Sequence, residues 1–91
     1  MTNSFYTPEE IKMLGFKSIG NNCTISRKAS FYGCENMIIG NNVRIDDFCI
    51  LSGHITLKNN IHISAYVALY GAKGIVFEDY TGISSRSTIY S

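Results

Sequence analysis

A six-residue spacing of large apolar side chains runs through the chain from Ile19 to Ile89. Two steps of this series are eight residues long, from Phe31 to Ile39 and from Leu69 to Phe77, and the others are six. Because six is a multiple of two, every member points to the same side of an extended strand, whereas the spacing does not fit the helical period of about 3.6 residues. Periodicity of this kind predicts a repeat architecture, in which each unit buries its apolar side against its neighbours.

Three steps of the series make a longer repeat of 18 or 20 residues. Each repeat opens on a segment rich in Gly, Asn or Asp, which suit a corner because they tolerate left-handed backbone angles. Asn residues stacked at such a corner are also expected to form a hydrogen-bonded ladder. The opening segments are 19–22, 39–42, 57–60 and 77–80. We therefore predict an all-β chain, a triangular parallel solenoid with three short strands per coil and roughly three and two-thirds coils.

The apolar series divides into three inward columns, one for each face of the triangle. The columns are Ile19, Ile39, Leu57 and Phe77; Ile25, Ile45, Ile63 and Ile83; and Phe31, Leu51, Leu69 and Ile89. The two longer steps place insertions at the third corner, in segments 33–36 and 71–74. After them, Met37 and Ile75 resume the inward position that Ile55 holds in the uninterrupted coil. Insertions confined to one corner leave the predicted core intact.

Helix-start signals precede the repeats, so residues 1–18 are interpreted as an N-terminal tail and capping helix, and residues 19–91 as the solenoid. Thr7 suits the N-cap, Pro8 the first helical position, and Glu10 the position three after the cap, where it can complete a capping box. The helix is expected to cover the open first coil, because a bare solenoid end exposes strand edges and apolar core.

Three apolar residues, Ile11, Met13 and Leu14, are predicted to form the buried face of this helix, and Gly15 is predicted to end it. Residues 1–6 are expected to form a flexible or docking tail.

The opposite end of the solenoid has no comparable cap after Ile89. The fourth coil would expose Phe77 and Ile83 together with its backbone edge. We therefore expect this coil either to continue in a longer protein or to be covered by another chain, with self-association through the C-terminal coil as the hypothesis.

Charge and composition exclude several classes of protein. The formal net charge of +1 supplies no basic footprint for nucleic acid. No apolar run approaches the ~18 residues of a membrane span, and no charged-then-apolar signal segment begins the sequence, so a cytoplasmic location is expected.

The sequence has no CxxC pair, and Cys23 and Cys49 occupy inward positions as small core residues. His54 and His62 are expected on different faces, so no metal site is predicted.

The segments Ile39–Phe48 and His62–Gly71 resemble the hexapeptide-repeat acyltransferases. They are most similar to the N-terminal portion of bacterial sugar O-acetyltransferases of the xenobiotic and galactoside acetyltransferase group. The resemblance implies a left-handed parallel β-helix, against the general right-handed rule for parallel crossovers. It also implies a trimer that binds acetyl-CoA as co-substrate in grooves between neighbouring helices, and a histidine that deprotonates the acceptor hydroxyl.

His62 is the candidate for this catalytic base. It precedes the inward residue Ile63, so its side chain is expected to point outward, in a column with Thr24, Arg44 and Gly82. The alternative is an exposed or interface histidine without a catalytic role.

Asp47 and Tyr70 are the candidate substrate-binding residues. Asp47 follows Ile45 at a corner, where it could bind a sugar hydroxyl or orient a histidine across an interface; the alternative is a turn residue that bonds its own backbone. Tyr70 belongs to an outward column at the third corner, where aromatic rings could hold a sugar or a partner, or only cover strand edges. That column is Tyr32, Ser52, Tyr70 and Tyr90.

Two functions remain open from the sequence. The first is an acetyl-CoA-dependent sugar O-acetyltransferase, shortened relative to its family. The alternative is a noncatalytic β-solenoid module that self-assembles and lacks the CoA-binding coils. The residues that would bind the cofactor stay unassigned, because family members usually continue into further coils.

Overall fold

The chain begins with a short helix, and the rest of it alternates short extended segments with tight corners. The computed structural model describes residues 4–91. Its helix is α1 (Pro8–Met13), and a 3-10 helix lies at Cys34–Asn36. The strands are β1 (Ser18–Ile19), β2 (Thr24–Ile25), β3 (Ser30–Tyr32), β4 (Met37–Ile39), β5 (Arg44–Ile45), β6 (Ile50–Leu57), β7 (His62–Ile63), β8 (Ala68–Phe77), β9 (Gly82–Ile83) and β10 (Thr88–Tyr90).

The strands pair in parallel and in the predicted register. The second face of the triangle is a sheet of four strands in the order β2-β5-β7-β9, which gives about four coils. The first and third faces merge into one sheet, because β6 and β8 continue around the third corner. Each member of the three predicted inward columns pairs with its counterpart on the next coil. The prediction of an all-β parallel solenoid of the left-handed β-helix type is confirmed.

The core consists of the inward columns. Members from the two middle coils are fully buried, whereas most of those from the end coils are only partly buried because a neighbouring coil covers one side. Ile25 in the first coil is the exception, and its burial reflects the N-terminal segment packed on it. Cys49 is a buried core residue and Cys23 is half-buried, and desolvation raises the pKa of both thiols. These two cysteines are therefore packing residues with little thiolate character.

The capping helix forms as predicted. Thr7 Oγ1 accepts from the Glu10 backbone nitrogen at 3.2 Å, and Glu10 Oε1 accepts from the Thr7 nitrogen at 2.9 Å. Ile11 is buried in the core cluster, and Gly15 has a left-handed φ of 88° after the last turn. The prediction that Met13 belongs to the buried face is wrong, because its side chain is 85% exposed. A helix of six residues makes fewer than two turns, so it presents few side chains to the coil below.

The segment before the helix docks on the second face. Residues 1–3 of the predicted tail lie outside the described residues. Phe5 forms an antiparallel bridge with Ser26, and the Tyr6 nitrogen donates to the Ile25 carbonyl oxygen at 2.9 Å. Of the two expectations for the tail, flexible or docking, residues 4–6 therefore follow the second.

The corners carry the features expected of them. A ladder of side-chain acceptors links successive coils at the first corner, where Asn21, Asn41 and Asn59 each donate a backbone N–H at 2.8 Å to a side-chain oxygen on the following coil. At the third corner, the register shifts between Gly53 and Ile55 to admit the second insertion. Met37, Ile55 and Ile75 are all buried, as predicted for the inward position after this corner. No helix within residues 4–91 is long and apolar enough to cross a membrane.

Candidate functional site

A shallow pocket of about 240 Å³ lies where the second face meets the second corner. Arg44 comes from β5, Asp46 and Asp47 from the corner that follows, and Ala65 from the same corner one coil later. Phe5 closes the pocket from the docked N-terminal segment, with its ring 5.3 Å from the Arg44 guanidinium carbon. The repeat thus brings one cation and two carboxylates from a single coil to one concave surface.

Asp46 joins two side chains of the second face. Its Oδ2 lies 2.8 Å from His62 Nε2, and its Oδ1 accepts from Arg44 Nε at 2.7 Å. The strand register explains the contact, since Arg44 pairs with His62 across β5 and β7 and Asp46 follows on the same outward side. A diagonal neighbour of this kind is within reach of a long side chain.

The ionisation of Asp46 reflects these partners. Partial burial acts to raise its pKa, but the hydrogen bonds and charges of Arg44 and His62 act in the opposite direction, and the net result is a lowered pKa. Asp46 is therefore a carboxylate at neutral pH, and both of its oxygens are occupied. Asp46 is therefore a poor base, and its hydrogen bonds hold the side chains of Arg44 and His62 in position.

His62 is exposed on the second face, as its position before Ile63 predicted. Its side chain is 53% exposed, and within residues 4–91 Nδ1 has no hydrogen-bond partner. His62 does not itself line the pocket; Asp46 connects it to that surface. Its role as a base stays a prediction.

Asp47 links its corner to the coils on either side, and its role in substrate binding stays a prediction. Its backbone oxygen accepts from the Tyr66 nitrogen at 3.1 Å, and its Oδ1 accepts from the hydroxyl of Ser26, which is completely buried. The carboxylate also lines the pocket, and within residues 4–91 its Oδ2 has no partner. The intrachain residue that contacts His62 is Asp46, which sequence reasoning did not select; the register of β5 against β7 was the available signal.

Tyr70 lies at the third corner, away from this pocket. Its ring stacks on Tyr90 with a centroid distance of 5.1 Å and an interplanar angle of 19°. The predicted column is correct in register, with Ser52 separating Tyr32 from the stacked pair. The fold therefore does not bring Tyr70 together with His62 and Asp47 in one chain.

An aromatic column at the second corner was not anticipated from the sequence. Phe48 stacks on Tyr66 with centroids 5.1 Å apart, and both residues have left-handed φ values. Lys28 covers the other face of Phe48 and Arg86 the other face of Tyr66. Each ring thus has an aromatic and a cationic neighbour, although Phe48 and Tyr66 remain about half exposed.

A second pocket of about 440 Å³ separates α1 from the first corner. It is lined by Ile11 and Lys12 of the helix and by the first coil from Ile19 to Cys23. No cluster of three or more His, Cys, Asp or Glu side chains with metal-site geometry occurs in residues 4–91.

Comparison with known proteins identifies relatives that share both sequence and fold. The chain is 53% identical over 85 residues to a dTDP-4-amino-4,6-dideoxy-D-glucose acyltransferase of Escherichia coli, a match covering 90% of this chain and 44% of that protein. It superimposes on a variant of AntD, an N-acyltransferase from Bacillus cereus crystallised with dTDP-4-amino-4,6-dideoxyglucose and coenzyme A, with a TM-score of 0.95. The identity to that structure is 54%, over 99% of this chain and 49% of that chain. The chain is homologous to these acyltransferases.

A second AntD structure, in complex with dTDP and 3-hydroxybutyryl-CoA, gives a TM-score of 0.95 and 56% identity over 98% of this chain and 48% of that chain. No protein-family model matches the chain. This hexapeptide-repeat chain spans about half the length of the relatives it matches. The relatives agree with the predicted class, acyl transfer to a sugar, but AntD acylates nitrogen, whereas the sequence predicted an oxygen acceptor.

Proposed function

We propose that the chain forms part of a sugar N-acyltransferase, which transfers an acyl group from acyl-CoA to the amino group of a nucleotide-linked amino sugar. The observation that carries the proposal is the match, over nearly all of the chain, to acyltransferases for dTDP-4-amino-4,6-dideoxyglucose. The predicted co-substrate, acetyl-CoA, becomes one candidate among acyl-CoA thioesters, since AntD binds 3-hydroxybutyryl-CoA. We also propose a cytoplasmic location, because acyl-CoA thioesters are made in the cytoplasm.

The proposed chemistry is attack of a neutral amine on a thioester. The amine nitrogen forms a bond to the acyl carbon, the carbon–sulfur bond breaks, and the CoA thiolate leaves. An amine of ordinary basicity is largely protonated near pH 7, so the acceptor loses two protons in all: one to a base to become the neutral amine, and a second, which passes to the CoA thiolate, as the amide forms. A binding site for this acceptor therefore needs a group that attracts an ammonium and a base that takes its proton.

Asp47 and His62 are the proposed groups. Asp47 lines the pocket, and its Oδ2, which has no partner within residues 4–91, can accept a hydrogen bond from the ammonium; the charge of the carboxylate favours this. Nδ1 of His62, which has no partner within residues 4–91, is the proposed acceptor of the proton from a substrate that extends from the pocket to the second face, with His62 acting as general base.

Tyr70 is proposed to contact the sugar ring from a second copy of the chain. It lies at the third corner while the pocket lies at the second, so one sugar reaches both if neighbouring copies pack these corners against each other. Such packing fits the trimer implied by the family resemblance. Tyr70 would then contact the substrate and also lie at the interface between two copies of the chain.

The proposal is tested by incubating the 91-residue chain with acetyl-CoA or 3-hydroxybutyryl-CoA and dTDP-4-amino-4,6-dideoxyglucose, and detecting the N-acylated product by mass spectrometry. dTDP-6-deoxyglucose, in which a hydroxyl replaces the 4-amino group, is the matched control for O-acylation. Turnover with the amino sugar alone is expected, and His62→Ala should lower kcat by ~100-fold or more. Acylation of dTDP-6-deoxyglucose at an equal rate would argue for the hydroxyl acceptor instead.

The intersubunit site has its own test. His62→Ala and Tyr70→Ala chains, each nearly inactive, are co-refolded from denaturant so that mixed oligomers form. Recovery of activity in the mixture is expected, because an intact His62 then faces an intact Tyr70. A mixture no more active than its components would contradict a shared site.

The second candidate function is a noncatalytic module that self-assembles. It is the alternative that the sequence leaves open. Calorimetric titration with acetyl-CoA separates the two, since this candidate predicts no heat of binding together with an oligomer in light scattering.

A further inference from the structure

We propose that Asp46 is the positioning residue for His62, holding the imidazole with its proton on Nε2 so that Nδ1 is the nitrogen that accepts a proton. The proposal rests on the proposed acyltransferase function for its catalytic meaning. Its geometric part concerns the side chains of Arg44, Asp46 and His62 alone.

The hydrogen-bond arrangement determines which imidazole nitrogen carries the proton. A carboxylate can only accept hydrogen bonds, so the 2.8 Å contact between Asp46 Oδ2 and His62 Nε2 requires the proton to lie on Nε2. In the neutral ring Nδ1 is then the acceptor. Because Nδ1 has no partner within residues 4–91, it is available to substrate.

Arg44 keeps Asp46 in the state that this role requires. Its Nε donates to Asp46 Oδ1 at 2.7 Å, and with His62 it lowers the pKa of the carboxyl against the effect of burial. The Phe5 ring stacks against the guanidinium at 5.3 Å and limits its movement. The carboxylate is thus ionised, fixed on one oxygen by Arg44 and directed to His62 with the other.

The arrangement also explains why two adjacent aspartates follow Ile45. Both oxygens of Asp46 have a protein partner, whereas only one oxygen of Asp47 has a partner within residues 4–91. The two carboxylates therefore have different proposed roles: Asp46 orients the base, and Asp47 binds the amino group of the acceptor. Within residues 4–91, His62 has its hydrogen bond with Asp46, and Asp47 makes none with it.

The test uses ¹⁵N NMR of the imidazole ring, which reports the protonated nitrogen without any need for activity. We expect the neutral His62 ring of the unmodified chain to carry its proton on Nε2, and Asp46→Asn to weaken this preference, since an amide can either donate to Nε2 or accept from it. Glu78→Gln, which breaks an exposed ion pair with Lys58 at the first corner, is the matched control and should leave the ring signals unchanged. A proton on Nδ1 in the unmodified chain, or identical ring signals in the Asp46→Asn chain, would overturn the proposal.

Kinetics supply the second readout. Asp46→Asn should lower kcat by roughly 10- to 100-fold with little change in KM, and should add no further loss in a His62→Ala background, because both changes remove one general base. A rise in KM at constant kcat would overturn the positioning role. An inactive chain whose His62 shows the expected proton position would count against catalysis by these residues alone while supporting the Asp46–His62 assignment.

Discussion

Gly40 lies so close to Lys58 on the next coil that a Cβ atom at residue 40 would overlap the Lys58 carbonyl group. The Gly40 nitrogen donates to the Leu57 carbonyl oxygen at 2.7 Å, which holds the two coils together at the first corner. The neighbouring coil repeats the arrangement, since a Cβ at Gly20 would overlap the backbone of Gly40. At the first corner, stacking of the first three coils therefore depends on residues without a side chain.

Gly40→Ala is expected to destabilise the chain, because the added methyl group meets backbone that cannot rotate away. Overpacking of this kind typically costs about 1–3 kcal/mol. Gly82→Ala is the matched control, since a Cβ there meets nothing within 4 Å. Urea denaturation followed by circular dichroism should show a lower midpoint for Gly40→Ala and a nearly unchanged one for Gly82→Ala. Equal midpoints would contradict the close stacking of the corners.

Ile63→Ala is expected to cost ~2–5 kcal/mol of unfolding free energy, because it empties a core position covered by coils on both sides. Ile63 is fully buried between Ile45 and Ile83. Val76, which is 57% exposed on the outer side of β8, provides the control. Val76→Ala should change the free energy by only ~0.5 kcal/mol or less. A similar loss for both variants would mean that the inward column is not the main source of stability.

Asp47→Asn is expected to raise the KM for the amino sugar by roughly tenfold, the loss of one charge-assisted hydrogen bond. The amide keeps the contact with the Ser26 hydroxyl, so the corner should stay folded while the charge is lost. Asp79→Asn, at the first corner, is the control. Initial rates at varied amino sugar and fixed acyl-CoA measure the effect. An unchanged KM for the amino sugar would remove Asp47 from the binding site.

The sequence predicted the fold almost completely, because a period of six carries both strand orientation and register. Residues 18 or 20 apart must lie above one another, so the inward columns and the outward partners of His62 followed without a structure. The wrong assignment of Met13 arose where this periodicity is absent. In a helix of six residues, the direction of approach to the coil decides which side chain is buried.

The candidate site was only partly predictable. Columns show which residues stack, but diagonal contacts such as Asp46 to His62 depend on side-chain length and rotamer. Phe5 contributes to the pocket because residues 4–6 form an antiparallel bridge, which no repeat encodes. The Phe48–Tyr66 stack was missed because left-handed φ values at aromatic residues run against local preference.

The N-terminal cap predicts a specific sensitivity to acid. Arg27 donates from both terminal nitrogens to Glu10, at 2.6 and 2.8 Å, and the Thr7 nitrogen adds a third bond. The hydrogen bond from Arg27, with that from Thr7, lowers the pKa of Glu10 from 4.5 to about 2. A carboxyl with a lowered pKa stabilises the fold at pH values above its unfolded pKa, and this contribution is lost as the unfolded chain takes up the proton first.

The free energy of unfolding should therefore decrease as the pH falls from about 4.5 towards 2, and Glu10→Gln should remove part of that slope. Glu9→Gln, one residue earlier and exposed on the same helix, is the matched control and should keep the slope. Urea denaturation at several pH values across this range measures both variants. If Glu10→Gln and Glu9→Gln gave the same pH dependence, the bidentate pair with Arg27 would make no net contribution to the stability of the cap.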